Sequence, residues 1–103
     1  MARVATSLND LEHLYKIKNM FFEALNVTKE KKGIVLFINL VNNVILEGYF
    51  KQANSGNGYL EIVIQSLNGE KYLIDLLDVK FIRNSTTPEK MKKYFKSSII
   101  TKL

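Results

Sequence analysis

Tyrosine and lysine side chains are the residues whose types and positions best suit chemistry in this sequence. Exposed aromatic rings can stack unpaired bases, and nearby positive charge can hold a phosphate backbone. Tyr59 and Tyr72 are the candidate stacking residues, and Lys29, Lys31 and Lys32 form a cationic cluster. In the alternative interpretation, the tyrosines pack across a sheet and the lysines lie in a solvated loop.

Catalytic chemistry has little support in the sequence. His13 is the only histidine and the chain has no cysteine, which leaves neither a nucleophile–base pair nor a thiolate metal site. Asp75 and Asp78 fall between predicted strands, where carboxylates are ordinary turn residues. Gly56 and Gly58 sit in a hairpin loop that no helix follows, unlike a phosphate-binding loop. We therefore expect no enzyme, no metal and no other cofactor.

Composition and charge indicate one compact domain with cationic ends. The chain has 103 residues, of which 47% are hydrophobic and 24% charged. Its net charge of +5 divides into +2 over residues 1–32, −1 over residues 33–83 and +4 over residues 84–103. Cationic ends would attract a phosphate backbone or an anionic membrane surface, although simple solubility explains them equally well. No signal peptide or membrane span is recognisable, so we expect a cytoplasmic protein.

One amphipathic helix is predicted over residues 7–25. Its apolar residues recur at spacings of three and four, as Leu8, Leu11, Leu14, Ile17, Phe21 and Leu25. Ser7 is a suitable N-cap and Asn26 a plausible C-terminal stop. Residues 27–33 then read as a charged connection at the surface.

Five strands are predicted after Gly33, at residues 34–40, 44–51, 59–65, 71–74 and 79–82. Asn42 and Asn43 suggest a two-residue hairpin between the first two strands, because asparagine tolerates positive φ. Gly48 suggests a sharp bend or bulge that would let a small sheet curl into a barrel. Residues 52–58 read as a flexible loop. The expected fold is therefore mainly β, with an N-terminal helix and a strongly bent five-stranded small barrel.

The C-terminal tail is predicted to be basic and helical. Pro88 suits the first turn of a short helix ending near Ser97. Met91, Tyr94 and Phe95 would form its apolar face, which favours packing over a free arm. We accordingly divide the chain into residues 1–83, a domain with an extended N-terminal helix, and residues 84–103, the tail.

The predicted helix and strands resemble the Hfq and other Sm-like (LSm) RNA-binding proteins. Residues 40–48 (LVNNVILEG) resemble the Hfq stretch that reads Leu-Val-Asn-Gly-Ile-x-Leu-x-Gly, and residues 21–25 (FFEAL) resemble the end of its helix. Tyr59 stands where that family has a pore-side phenylalanine, and Tyr72 falls on a family tyrosine. The resemblance covers roughly residues 18 to 83 and implies a Sm-like barrel.

Several family binding positions carry other residues in this chain. Leu73 and Ile74 replace the Lys-His pair that grips uridine in the pore, and Lys18 and Asn19 stand where the helix has a pore-side glutamine followed by aspartate. On the opposite face, Asn39 replaces the tyrosine that stacks adenine, and Glu47 replaces a glutamine. The chain thus resembles an atypical member whose RNA contacts have moved toward lysines and tyrosines. Lys29, Lys31 and Lys32 lie near the family's arginine cluster on the ring rim.

The resemblance implies an RNA chaperone that forms a ring, with a hexamer favoured. Such a protein binds small regulatory RNAs and messenger RNAs and acts in post-transcriptional regulation. In the ring, the fourth strand of one subunit pairs with the fifth strand of the next.

Two other functions remain open at this point. A small barrel could bind another protein through its strand edges and the apolar face of the tail, without binding RNA. Recognition of a cyclic dinucleotide would normally need paired arginines, but Arg3 and Arg83 are the only two arginines and lie far apart in sequence.

Overall fold

The computed structural model describes residues 3–26 and 33–94, which form an N-terminal helix, a five-stranded antiparallel sheet and a short C-terminal helix. The elements are α1 (Leu8–Asn26), β1 (Val35–Leu40), β2 (Ile45–Gly56), β3 (Tyr59–Gln65), β4 (Lys71–Asp75), a 3-10 turn (Leu76–Asp78), β5 (Val79–Asn84) and α2 (residues 88–94). The mainly β prediction is confirmed. The predicted tail helix beyond residue 94 and the lysine cluster at positions 29, 31 and 32 lie outside the described residues.

Helix α1 forms where the apolar period predicts it. Ser7 caps the helix, because its Oγ accepts a hydrogen bond from the backbone N–H of Asp10 at 3.1 Å. The helix includes Asn26 instead of stopping before it. One face is buried against the sheet, with Leu14, Ile17, Phe21 and Ala24 at spacings of three and four. These residues join the inward side chains of the strands in a single hydrophobic core.

The five strands follow the order β4-β3-β2-β1-β5. Every neighbouring pair is antiparallel, so β4 and β5 are the two edges of the sheet. No pairing joins these two edges within the described residues, and the sheet is not closed into the barrel that the sequence suggested. A single copy therefore leaves two strand edges without a partner.

Strands β2 and β3 approach each other closely at Gly48. A Cβ atom at this position would lie 2.5 Å from the carbonyl oxygen of Gln65 on β3, so only glycine fits. The shift in strand register lies a few residues further on, between Phe50 and Gln52. Gly48 thus allows the strands to approach, while the bulge that the sequence suggested at Gly48 occurs after it.

Two loops differ from their predictions. The β1–β2 connection has three residues, because Leu40 pairs with Val44 and Asn43 takes the left-handed conformation with φ 68°. The predicted loop over residues 52–58 is wrong. Strand β2 continues to Gly56, and the chain turns at Asn57 and Gly58. The polar side chains of this segment are exposed, but its backbone still pairs with β3.

Helix α2 packs against the face of the sheet that points away from α1, which we call the outer face. Thr87 caps α2 by accepting a hydrogen bond from the N–H of Lys90 at 3.2 Å. The Tyr94 ring lies 5.1 Å from the Tyr49 ring, centre to centre. Val35 beside Tyr49 is fully buried although it is not part of the main core. The predicted apolar face of the tail therefore packs within the chain, as far as Met91 and Tyr94; Phe95 is not described.

Candidate functional site

The residues proposed from sequence as RNA contacts lie on different elements. Lys18 and Asn19 lie on α1, Asn39 on the outer face of β1, Tyr59 at the start of β3 and Tyr72 on β4. The structure does not bring these five together into one pocket. The most informative of them is Asn39, because its surroundings form a surface with features that suit a ligand.

The contacts of the two tyrosines favour sheet packing over base stacking. The Tyr59 ring lies against Gly56, where an added Cβ would come within 2.3 Å of a ring carbon. Tyr72 packs partly against the core, and its hydroxyl donates a hydrogen bond to Glu70 Oε2 at 2.6 Å. This hydrogen bond raises the pKa of the Tyr72 phenol above its usual value.

Asn39 has a buried oxygen that accepts no hydrogen bond from any described residue. Cross-strand pairing places it between Phe81 of β5 and Ile45 of β2, which both remain exposed. A buried acceptor without a donor costs about 1–3 kcal/mol. A donor on a bound molecule would remove this cost, so the side chain is a candidate binding group.

Arg83 and Phe37 form the adjacent cross-strand pair on the same face. The guanidinium carbon lies 4.4 Å from the centre of the Phe37 ring, within the range of a cation–π interaction. Arg83 has no carboxylate within 4.0 Å among the described residues. Its side chain is thus held in place while its N–H groups stay available to an anion.

Glu47 faces Phe37 from the other neighbouring strand, but its charge is already engaged. Its carboxylate accepts hydrogen bonds from the Ser85 hydroxyl at 2.8 Å and from Lys90 Nζ at 3.1 Å. Burial by itself raises the pKa of Glu47. The hydrogen bonds from Ser85 and Lys90, together with the positive charges of Lys90 and Arg83, outweigh that effect, so the pKa lies below its usual value. Glu47 therefore anchors α2, and Lys90 largely neutralises its charge.

Helix α2 covers one half of the outer face. The Tyr49 hydroxyl donates to the Lys90 carbonyl oxygen at 2.8 Å, and burial raises the pKa of the Tyr49 phenol. Lys51 Nζ lies 5.0 Å from the centre of the Tyr94 ring. The other half, with Asn39, Phe81 and Arg83, is not covered by any described segment.

Three basic side chains of the outer face and of α2 are exposed and form no ion pair with a described carboxylate. Arg83 lies on β5, and Lys92 and Lys93 lie on α2, whereas Lys90 is paired with Glu47. Such a surface attracts polyanions.

A groove of about 400 Å³ runs beside the β5 edge. Met20, Glu23 and Ala24 of α1 form one wall, and Phe81 to Asn84 of β5 form the other. The amide of Asn84 donates to the carbonyl oxygen of Ala24 at 2.8 Å at one end of this groove. The groove leaves the unpaired edge of β5 accessible among the described residues.

The histidine and the two aspartates that were considered for catalysis make contacts that hold the fold together. His13 Nε2 donates a hydrogen bond to the Val79 carbonyl oxygen at 2.7 Å and so ties α1 to β5. Asp75 caps the 3-10 turn through the N–H of Leu77 at 3.0 Å. Arg3 forms ion pairs with both Asp75 and Asp78. Within residues 3–26 and 33–94, no group of three or more potential ligand side chains could hold a metal ion.

Sequence reasoning missed Arg83, Phe37 and Phe81 as members of one surface. The strand pattern placed Phe37 on β1, but the β5 prediction stopped at residue 82, one residue short of Arg83. Phe81 and Arg83 flank the buried Ile82, and alternate residues of a strand point to the same face of the sheet. This pattern could have predicted that Phe81 and Arg83 share a face.

Neither the protein-family models, nor the curated proteins, nor the solved structures compared with this chain include a match. No described helix combines the length and the hydropathy that crossing a membrane requires.

Proposed function

We propose that this protein is an RNA-binding, Sm-like ring protein that acts in the cytoplasm as an RNA chaperone. Its RNA partners would be small regulatory RNAs and messenger RNAs, as the resemblance to Hfq implies. The observation that carries the proposal is the exposed guanidinium of Arg83, which is stacked on Phe37 and forms no ion pair within 4.0 Å with a described carboxylate.

Arg83 suits RNA because it combines a fixed position with unused donors. A planar guanidinium can pair with a phosphate through two N–H groups, and a stacked one loses less freedom on binding. The neighbouring Asn39 oxygen supplies a hydrogen-bond acceptor for a base, and Ile45 supplies an apolar contact. RNA would cross the open half of the outer face and reach the lysines of α2.

The two unpaired sheet edges support assembly into a ring. Leu73 on β4 is 60% exposed and Phe81 on β5 is 41% exposed. Both point to the outer face, so a second copy that adds its β4 to β5 would bring Leu73 toward Phe81. Repetition of this contact closes a ring, for which the resemblance implies six subunits.

A ring would also repeat the other proposed contacts. Lys18, Asn19 and the lysines at positions 29, 31 and 32 would each occur once per subunit, with Tyr59 and Tyr72. The summed potential of the lysines would strengthen the attraction to a polyanion. We keep the lysines and Asn19 as secondary RNA contacts, and Tyr59 and Tyr72, which pack in the sheet, as lesser ones.

Titration of labelled A-rich and U-rich oligonucleotides at two salt concentrations tests the function. We expect binding that weakens steeply as salt rises, because phosphate contacts release counterions. Absence of binding to either oligonucleotide at low salt would overturn the proposal.

A protein-contact module that does not bind RNA is the second candidate. The exposed Leu73 and Phe81 at the two sheet edges favour it. The apolar face of the tail supports this candidate less, because Met91 and Tyr94 pack against Gly33. This candidate predicts that edge substitutions abolish a protein complex while RNA binding is undetectable in every variant.

A further inference from the structure

Helix α1 carries an exposed apolar stripe on the side that faces away from the core. The stripe consists of Leu8, Tyr15 and Phe22, which are 71%, 64% and 50% exposed. They are spaced seven residues apart, which is about two turns of the helix, so their side chains lie in one line along it. The buried residues of α1, such as Ile17 and Phe21, lie on the other side of the helix.

This α1 stripe has no cover among the described residues. The Phe22 ring lies 5.4 Å from the Phe21 ring, centre to centre, and half of its surface remains exposed. Lys18 Nζ lies 5.9 Å from the centre of the Tyr15 ring, but Tyr15 keeps most of its surface in solvent. Large apolar side chains aligned at heptad spacing are typical of a helix that packs against another helix.

We propose that the α1 stripe pairs with the same stripe of a second copy of this chain, in antiparallel orientation. Leu8 and Phe22 are equally distant from Tyr15, at seven residues on either side. A twofold axis at Tyr15 therefore places Tyr15 against Tyr15 of the second copy and Leu8 against Phe22 of the second copy. This contact is self-complementary, as a twofold interface requires.

The charges beside the stripe fit a second copy better than a nucleic acid. Helix α1 contains three acidic residues, Asp10, Glu12 and Glu23, and two basic residues, Lys16 and Lys18. With one net negative charge, α1 attracts a polyanion less than the basic outer face does. In the antiparallel pair, the same side of the stripe meets in both copies. Glu12 therefore comes beside Lys16 of the second copy, and Lys16 comes beside Glu12 of the second copy. Such exposed pairs add little affinity but fix orientation.

The pairing is independent of the sheet edges and of RNA. It uses the solvent side of α1, whereas the proposed ring uses β4 and β5. A contact of three side chains per copy is small for a stable interface. Two rings joined through several such contacts would bind each other by avidity. The assembly would then contain twice as many subunits as one ring formed through the sheet edges.

Cysteine cross-linking tests the geometry directly, because the chain has no cysteine of its own. We expect Tyr15→Cys to form a disulfide-linked dimer under mild oxidation. Mixed samples of Leu8→Cys and Phe22→Cys should cross-link to each other, whereas Leu8→Cys alone should not. Leu67→Cys, at an exposed apolar position in the β3–β4 turn, is the matched control and should remain uncross-linked.

Three cross-linking and sizing results would overturn the proposal. Links in Leu8→Cys alone and Phe22→Cys alone would indicate parallel helices, and Tyr15→Cys that reacts no more than Leu67→Cys would indicate no pairing. In light scattering, Tyr15→Lys should halve the mass of the assembly while Leu67→Lys leaves it unchanged. If Tyr15→Lys leaves the mass unchanged, the stripe does not pair copies, and a simultaneous loss of RNA affinity would identify nucleic acid as its occupant.

Discussion

The guanidinium carbon of Arg83 lies 4.4 Å from the centre of the Phe37 ring, across neighbouring strands of the outer face. This pair combines an aromatic support with an exposed cation that forms no ion pair within 4.0 Å with a described carboxylate, although its charge helps to lower the pKa of Glu47. It lies on the open half of the outer face. RNA binding is assigned to this pair more than to the tyrosines.

Removing the glycine at the strand crossing should destabilise the fold. In Gly48→Ala, the new Cβ would meet the Gln65 carbonyl oxygen at 2.5 Å, and backbone atoms would have to shift. We expect the free energy of unfolding to fall by about 1–3 kcal/mol, as for other overpacked sites. Urea denaturation measures this. An unchanged free energy of unfolding in Gly48→Ala would show that the approach of β2 and β3 at Gly48 is not tight.

The attachment of α2 should depend on the Tyr49 hydroxyl. Tyr49→Phe removes the hydrogen bond to the Lys90 carbonyl oxygen, which is 2.8 Å long, and leaves the ring contact with Tyr94 in place. We expect a loss of about 0.5–1.5 kcal/mol in unfolding free energy. Hydrogen exchange of the α2 amides should speed up more than that of β3. Unchanged protection of α2 would contradict this attachment.

The folding stability should also depend on pH through the carboxylate of Glu47. Because the folded-state pKa of Glu47 is depressed, its contribution is complete above the pKa of the unfolded chain and is lost as the pH falls through the folded-state value. Thermal melts of wild type and Glu47→Gln should therefore differ most at neutral pH and converge in acid. A difference that is constant with pH would exclude the carboxylate charge as its cause.

Assembly through the sheet edges should depend on Leu73. A charge on this 60% exposed side chain, as in Leu73→Lys, should prevent β4 of one copy from packing beside Phe81 of the next. We expect a smaller mass in light scattering with an unchanged circular dichroism spectrum. Leu67→Lys makes the same change at an exposed apolar position in the β3–β4 turn and serves as the control. If both variants keep the wild-type mass, the ring does not form through this edge.

The sequence predicted the elements whose signals are local. The three-and-four spacing of Leu14, Ile17 and Phe21 defines α1 without knowledge of the sheet. The end of β2 was missed because residues 52–56 are polar. Their pairing with β3 depends on backbone hydrogen bonds, which side-chain composition does not report.

The candidate site depends on relationships that local patterns do not contain. Asn39 meets Phe81 only because the register of β1 with β5 places them opposite each other, 42 positions apart in the chain. Likewise, the Glu47–Lys90 pair requires α2 to fold back over the outer face. The resemblance pointed to Asn39 and Glu47 as positions of interest, but their neighbours came from the three-dimensional structure.

Comparison of Arg83→Lys, Arg83→Gln and Lys16→Gln in an RNA titration tests the central claim most directly. Lys16 is an exposed cation on α1, away from the outer face, and controls for loss of one positive charge. We expect Arg83→Gln to weaken binding by about tenfold or more, because a hydrogen bond between a guanidinium and a phosphate contributes roughly 1.5–3 kcal/mol. Arg83→Lys should recover only part of the affinity, and Lys16→Gln should bind like wild type. Equal affinities for Arg83→Gln and Lys16→Gln would contradict the assignment of RNA binding to the Arg83–Phe37 pair.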